Sequence, residues 1–384
     1  MLRMTPTSSL TPNLRYLNWR GTSPGYVPLL PLFLSPKLED LIIPAEYSNG
    51  SWLATIPPLC PSVKSLTIQG DSLIPAKLAF LHQWANLKEL CSPKTALTEE
   101  AFATCVFRCR LEKLWIKVTR SFLAGLQEVL KPFDLGGAVF KDLSTFAIRS
   151  AEGVDLVSDL LVALPKVNCT CFATYCNLES RTGDLVSFFE TASNNLDVSE
   201  LRTFTAKRDG LWGAELCPHL DMDAIRPLLQ FRRLYSLDIN TACFDMDDRG
   251  LEELATAFPG LNILQIVTCT SSSKSRITLP GLIPLLKRCP ALKKLTISVD
   301  TATLADSDER PGGGVCNTRM TELWLPYSPL HNAALVAAFL SAIMPRVTTI
   351  HVDGKNFSLW RDVPWLMRAF AMTRKQEEKW YSEH

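Results

Sequence analysis

The sequence predicts an α/β solenoid, a curved horseshoe in which a parallel β-sheet lines the concave face and helices cover the convex face. Three observations predict this fold. The pattern apolar-x-x-apolar-x-apolar recurs along the chain of 384 residues. Apolar residues at helical spacing separate successive copies, and a proline often stands two residues before a copy. Because such repeats grow in one dimension, a chain of this length needs no division into several cores.

The pattern gives about thirteen irregular repeats. The first five copies are separated by 24 or 25 residues, and the later separations rise to as many as 34. The copies start at residues 14, 38, 63, 87, 111, 143, 167, 201, 234, 261, 292, 320 and 347. A period of about 20–29 residues with this pattern is typical of leucine-rich repeats.

Each repeat is predicted to run as strand, loop, helix and proline. Leu66 and Ile68 of the third copy stand two residues apart, so both point to the same buried face of a strand. Leu282, Leu285 and Leu286 keep the spacing of one helix face. A proline after the helix stops it and favours an extended entry into the next strand. Since one repeat cannot bury its own apolar face, neighbouring repeats must stack.

The turns that follow the strands depart from the common leucine-rich pattern. An asparagine or cysteine usually follows the last apolar residue by three positions. Thr22, Glu46 and Asp71 stand at this position in the first three copies. No asparagine ladder can form, so we expect irregular turns and uneven curvature.

Three segments are expected along the chain. Residues 1–13 form a short lead, residues 14–357 form the solenoid, and residues 358–384 form a C-terminal helical cap with a polar tail. The cap is predicted from apolar residues at helical spacing, with a frayed tail from Arg374 onward. The lead is too short to cover the first repeat, so the first strand is expected to be an exposed edge.

Composition argues against several classes of function. The 40 basic and 39 acidic residues leave a formal charge of +1, whereas a nucleic-acid or membrane-surface binder usually has a strong basic excess. The first residues hold no apolar signal segment, and no stretch reaches the roughly 18 apolar residues of a membrane span. We therefore expect a soluble cytoplasmic or nuclear protein that binds neither nucleic acid nor membrane.

No arrangement of residues indicates catalysis, a cofactor or a metal. The twelve cysteines lack zinc-ligand spacing, so they are interpreted as reduced, mostly buried thiols. The five histidines stand in no known catalytic motif. Asp245, Asp247 and Asp248 are interpreted as a loop and helix N-terminus rather than a calcium loop. Gly312–Gly314 is interpreted as a flexible loop rather than a phosphate cradle. The chain is therefore expected not to be an enzyme.

The candidate binding residues are those that flank the buried strand positions and so point to the concave face. Trp115 and Trp324 are the most informative, because a tryptophan on a rigid sheet is a typical interface anchor. The alternative is that each packs on a neighbouring strand. The candidates are Tyr16, Arg20, Lys113, Trp115, Lys117, Lys207, Asp238, Asn240, Lys294, Trp324 and His351.

The segments CPSVKSLTI, FPGLNILQI and CPALKKLTI carry a family resemblance. Their spacing of proline and apolar residues resembles that of the repeat region of fungal F-box/leucine-rich-repeat proteins. The resemblance implies a substrate or partner receptor in ubiquitin-ligase-linked recognition, with an N-terminal F-box recruiting the ligase adaptor. No F-box is visible, because only thirteen residues precede the first repeat. The alternative is a free-standing scaffold or inhibitor with no ligase role.

Overall fold

The computed structural model divides the chain into two compact units. The first comprises residues 1–177 and 194–197, and the second comprises residues 178–193 and 198–384. The residues described are 9–20, 24–48, 51–130, 140, 142–176, 182–209, 219–240, 243–266, 275–304, 311–352 and 357–383.

The first unit is a parallel sheet with roughly one strand per repeat. Its strands pair in the order β1-β2-β3-β5-β6-β7-β8, and β4 pairs with β5. The described strands are β1 (Tyr16–Asn18), β2 (Asp40–Pro44), β3 (Ser65–Gln69), β4 (Ser72–Ala76), β5 (Glu89–Leu97), β6 (Lys113–Val118), β7 (Thr145–Ser150) and β8 (Cys171–Cys176).

Helices connect these strands, and the earliest connections are short 3₁₀ segments. Pro24–Phe33 contains Pro28 and Pro31, which lack the N–H groups that an α-helix would use. The first α-helix begins after Thr98, whose hydroxyl accepts a hydrogen bond from the Ala101 N–H. The α-helices are α1 (Glu99–Phe107), α2 (Arg120–Leu130) and α3 (Asp155–Ala163), and the other 3₁₀ segments are Ala45–Tyr47, Ser51–Thr55 and Leu81–Gln83.

The second unit repeats the same plan. Its main sheet runs β9-β11-β13-β14-β15-β16, with all neighbours parallel, and β10 pairs with β12. The strands are β9 (Thr203–Arg208), β10 (His219–Leu220), β11 (Ser236–Asn240), β12 (Cys243–Phe244), β13 (Ile263–Ile266), β14 (Lys294–Thr296), β15 (Glu322–Trp324) and β16 (Thr349–His351). The helices are α4 (Thr182–Asn195, of which residues to 193 belong here), α5 (Met222–Ile225), α6 (Asp248–Ala257), α7 (Leu282–Arg288), α8 (Ala333–Ile343), α9 (Phe357–Trp360) and α10 (Val363–Glu383), with 3₁₀ segments Arg226–Gln230 and Pro311–Gly314.

The repeat pattern fixes which strand residues are buried. In the first unit, Leu66, Leu90 and Leu114 are register partners on β3, β5 and β6. In the second unit, Leu237 and Leu295 occupy the same position on β11 and β14. All five side chains are buried. The α/β leucine-rich-repeat fold predicted from the sequence is therefore confirmed.

The seventh copy is the one whose alignment was wrong. The sequence pattern took Val167, Thr170 and Phe172 as its motif residues, but Phe172 pairs with Phe146 and so occupies the second motif position. The motif is therefore Cys169, Phe172 and Thr174, two residues later. A cysteine and a threonine replace the usual apolar residues there, and both are buried.

Hydroxyl groups stabilise the irregular turns in place of an asparagine ladder. In the second unit, the Ser298 hydroxyl donates to the Pro326 carbonyl at 2.6 Å, and the Thr301 hydroxyl donates to the Pro329 carbonyl at 2.8 Å. Both side chains are buried. Each bond satisfies a carbonyl of the next repeat, as buried polar groups require.

The C-terminal segment is a long helix that packs only in part. Val363 and Met367 on α10 are buried, and the helix packs against α8. The helix continues to Glu383, so the residues after Arg374 are helical where a frayed tail was expected. No helix in the described ranges combines the length and apolar character that crossing a bilayer requires.

Candidate partner-binding faces

Each sheet has two faces, and we call the face opposite the buried leucines the open face. It carries the strand residues that alternate with the buried leucines, because successive side chains of a strand point to opposite sides. On β6 the open-face residues are Lys113, Trp115 and Lys117. Across the first unit these side chains line up in rows, since neighbouring strands are in register.

An aromatic pair lies on the open face of the first unit. Trp115 on β6 and Tyr175 on β8 are both half-buried, and their ring centroids lie 5.6 Å apart at an interplanar angle of 33°. Ala147 on β7 is the register partner of Trp115 and is buried. The two rings come from strands on either side of β7, and the register partners that follow Trp115 across the sheet, Ala147 and Ala173, both have small side chains.

Ion pairs frame this aromatic pair. Lys113 Nζ lies 2.6 Å from Glu89 Oε1, and Lys117 Nζ lies 3.1 Å from Asp71 Oδ1. Hydrogen bonding to Glu89 and its negative charge raise the pKa of Lys113. Both pairs are at least partly exposed, so each contributes little to stability. An apolar centre with a polar rim is the usual anatomy of a binding surface.

The first strand of this unit is a sheet edge. β1 pairs with β2 on one side, and the described residues supply no strand on its other side. Tyr16 and Arg20 are exposed, and Leu17 and Trp19 are half-buried. The Asn18 side chain reaches the Tyr16 hydroxyl at 3.4 Å.

The open face of the second unit is more polar. Lys207 Nζ lies 2.7 Å from Asp238 Oδ2, and the Asp238 side chain is only 10% exposed. Burial raises the pKa of Asp238, although the Lys207 ammonium opposes this shift. Asn240 follows on the same strand face, and its Oδ1 is buried without a hydrogen-bond partner. This part of the face therefore has an acceptor that a bound donor could satisfy.

A second aromatic group lies on the last two strands. Trp324 on β15 stacks on His351 of β16, with ring centroids 4.4 Å apart and an interplanar angle of 27°. Trp324 is 36% exposed, and His351 is exposed. Lys294 Nζ pairs with Glu322 Oε2 at 2.8 Å beside them. Each tryptophan thus packs on a neighbouring side chain and still keeps exposed area.

The sequence-derived candidates fall into two separate groups. Tyr16, Arg20, Lys113, Trp115 and Lys117 belong to the first unit, and the other six belong to the second. Each ion pair and each ring stack described above joins two residues of the same unit. Tyr175, Ala147 and the acidic ion-pair partners Glu89 and Asp71 were not among the residues predicted for the binding surface.

Tyr175 was missed because of the two-residue slip in the seventh copy. A correct alignment puts residues 171, 173 and 175 on the open face. The repeat spacing could have revealed this error. If the seventh copy starts at Cys169, its separation from the sixth copy is 26 residues instead of 24, which is closer to the separations of 27 to 33 residues among the copies that follow.

The three aspartates of the β12–α6 turn have structural partners. Asp247 caps α6 by accepting from the Gly250 N–H at 2.9 Å. Asp248 accepts from the Thr278 N–H and hydroxyl, each at 2.7 Å. Asp245 pairs with Arg276 at 2.8 Å. The described part of the chain holds no group of three or more histidine, cysteine or acidic residues placed to bind a metal.

The register-aligned motifs and the parallel sheets decide the fold. This is a leucine-rich-repeat fold. No family model and no curated protein matches the chain. Solved structures similar to it include Rad7 from the yeast Rad7–Elc1 complex, at 14% identity and a TM-score of 0.41, with 88% of this chain and 85% of that chain covered.

Two further structures show the same kind of similarity. A leucine-rich-repeat protein of Leptospira interrogans is 11% identical, with 93% of each chain covered and a TM-score of 0.34. TLR13 in its complex with the single-stranded RNA ssRNA13 is 13% identical, with 82% of this chain and 42% of that chain covered and a TM-score of 0.40.

Proposed function

We propose that this chain is a non-enzymatic protein-binding module that holds its partners on the open faces of its sheets. Two aromatic contacts on the open faces support the proposal: Trp115 with Tyr175, and Trp324 with His351. All four side chains extend from β-strands and keep some exposed area. Aromatic side chains that are already held on the strands of a sheet lose little conformational freedom on binding, which makes them efficient anchors.

Within this function we propose first a receptor that presents a substrate or partner to a ubiquitin ligase. This role rests on the resemblance of the repeat motifs to F-box/leucine-rich-repeat proteins, and it requires an adaptor-binding module. A free-standing scaffold or inhibitor is the alternative. In either role the expected compartment is the cytoplasm or nucleus.

Affinity purification of the tagged full chain from cells, followed by quantitative mass spectrometry, separates these roles. Co-purification of ligase adaptor and cullin subunits supports the receptor role, and partners without any ligase subunit support the scaffold role. The variants Trp115→Ala and Trp324→Ala should lose partners, because each removes an open-face anchor. Retention of every partner by the double variant would contradict binding through these faces.

A further inference from the structure

The strand β1 ends the sheet of the first unit at an incompletely covered edge. Its motif residues Leu14, Leu17 and Trp19 are half-buried, whereas Leu41, the register partner of Leu17 on β2, is only 1% exposed. No strand among the described residues lies on the far side of β1. The ladder of buried apolar residues therefore stops at β1, where a further strand would cover it. The first repeat also exposes Leu10, Tyr26 and Leu29.

The backbone groups of Tyr16 and Asn18 point away from β2. The Trp19 N–H donates to the Ile42 carbonyl at 2.9 Å, and the Arg15 carbonyl accepts from β2 at 3.0 Å. Because successive residues of a strand direct their backbone groups to opposite sides, the two residues between these contacts that have even numbers face outward. Their N–H and C=O groups are therefore available to another strand, as on any sheet edge.

The side chains of the same two residues also have unused hydrogen-bonding groups. Asn18 Oδ1 is buried and has no partner, and Asn18 Nδ2 donates to the Tyr16 hydroxyl at 3.4 Å. Turning the amide over would exchange its two ends and leave the other end without a partner. Tyr16 is 54% exposed, and its hydroxyl proton has no acceptor within the described part of the chain. An unused acceptor and an unused donor thus stand two residues apart on one strand.

This arrangement is complementary to itself about Leu17. In an antiparallel pair of two β1 strands centred on this residue, Tyr16 of each copy lies opposite Asn18 of the other. The two residue pairs exchange backbone hydrogen bonds, and each hydroxyl donor faces an amide acceptor. The two Leu17 side chains meet on the buried face of the sheet, as cross-strand partners do.

The charges at the ends of β1 favour this antiparallel arrangement. A parallel pair of two β1 strands would place Arg15 directly opposite Arg15 of the second copy, and like charges in that position destabilise a sheet. In the antiparallel pair, Arg15 lies opposite Trp19 and Arg20 lies opposite Leu14. Residues 16–18 contain neither a charged residue nor a proline, which are the usual means of preventing edge-to-edge pairing.

We infer that a second copy of this chain binds the β1 edge, so that two first units join into one continuous sheet. The two strands pair antiparallel about a two-fold axis at Leu17, and the Tyr16 hydroxyl of each copy donates to the Asn18 amide of the other once that side chain has turned towards it. The open faces of both first units then lie on the same side of the joined sheet. The dimer therefore presents two copies of that face, which strengthens binding to a partner with repeated sites. The inference goes beyond the proposed function, because it does not depend on what the open face binds.

Sedimentation equilibrium of the full chain between about 1 and 100 µM tests the inference, since small interfaces bind in this range. The fraction of dimer should rise with concentration and stop at two copies. Asn18→Pro should raise the dissociation constant at least about tenfold, because proline removes an N–H of the free edge. The circular dichroism should not change, since that N–H does not pair with β2. Leu73→Lys, at a 99% exposed position on β4, serves as the control and should dimerise normally.

Two double variants test the antiparallel register. Tyr16→Lys with Asn18→Lys places like charges opposite each other and should abolish the dimer. Tyr16→Glu with Asn18→Lys places opposite charges there, so the dimer should remain and should weaken as salt is added.

A cross-linking experiment tests the position of the two-fold axis. Facing residues of an antiparallel pair lie close enough for a disulfide, so Leu17→Cys should give a disulfide-linked dimer on mild oxidation with copper phenanthroline. Peptide mass mapping should place the link between the two substituted positions. Leu73→Cys serves as the control and should not give a link between its own substituted positions.

Several results would overturn the inference. A chain that stays monomeric at about 100 µM would do so, as would equal dissociation constants for the two double variants. Unchanged association of Asn18→Pro would show that the contact lies elsewhere on the chain. Association that continues beyond two copies would indicate head-to-tail pairing of β1 with β16 instead of the two-fold pair. Cross-linking of Leu17→Cys no faster than that of Leu73→Cys would contradict the position of the axis.

Discussion

Replacing Leu114 by alanine tests whether the repeat motif places β6 in the core. Leu114 is 0% exposed and lies between its register partners Leu90 and Phe146. Removing three carbon atoms from the core costs about 2.4 kcal/mol in transfer free energy at about 0.8 kcal/mol per carbon. Because both neighbours are fixed by their own strands, the site cannot collapse fully. A residual cavity of about 50 Å³ adds about 1.2 kcal/mol. The free energy of unfolding should therefore fall by about 3–4 kcal/mol.

Leu73 on β4, a strand that pairs with β5, provides a matched control. Its side chain is 99% exposed, so the same substitution removes no buried area. Leu73→Ala should change the free energy of unfolding by less than about 0.5 kcal/mol. Urea unfolding followed by circular dichroism measures both variants, and hydrogen exchange of the amides in β5, β6 and β7 shows whether the loss is local. A loss below about 1 kcal/mol for Leu114→Ala, or equal losses for the two variants, would refute the assignment.

Two other predictions concern a tight turn and the cysteines. Gly312 has a φ of +62°, and a Cβ there would lie 2.7 Å from Ile283 Cγ2, so Gly312→Ala should lower the melting temperature of the second unit. Gly313 also has a positive φ, but a Cβ there would meet no atom within 4 Å, so Gly313→Ala should lower the melting temperature less. A similar loss for both would show that the contact with Ile283 is unimportant. Burial raises the pKa of Cys60 and of Cys169 to about 12, so iodoacetamide at pH 8 should label the exposed Cys316 while it leaves these two thiols unmodified. Their contribution to stability should be lost as the pH rises from about 9 towards 12, because their ordinary pKa is near 9. Early labelling of Cys60 in the native protein would contradict the burial.

The sequence was sufficient to predict the fold because one strand position is apolar in nearly every repeat. The alternation of a strand then determines which residues are buried and which are open, as Leu114 and Trp115 show. The prediction failed where other residue types replace the leucines: Cys169 and Thr174 are buried without being strongly apolar, and the alignment slipped by two residues.

The contacts within the binding faces could not be predicted from the sequence. Trp115 on β6 contacts Tyr175 on β8, which lies 60 positions later in the sequence and on the far side of β7. Lys117 pairs with Asp71 across two repeats for a similar reason, because both are brought to the same edge of the sheet. Because such contacts depend on strand register, a repeat that is misaligned in the sequence pattern leaves its contact residues unpredicted.

The central claim is that partners bind the open sheet faces and not the helices. The most direct test compares two identical substitutions in the second unit, Trp324→Ala on the open face and Trp365→Ala on α10. Trp324 is 36% exposed and Trp365 is 70% exposed. If the exposed area available for burial were the only factor, Trp365 would therefore contribute more to an interface than Trp324. Isothermal titration with a co-purified partner that contacts this unit should show weaker binding for Trp324→Ala by at least about 2 kcal/mol, and an unchanged affinity for Trp365→Ala. Loss of affinity with Trp365→Ala and none with Trp324→Ala would contradict the claim.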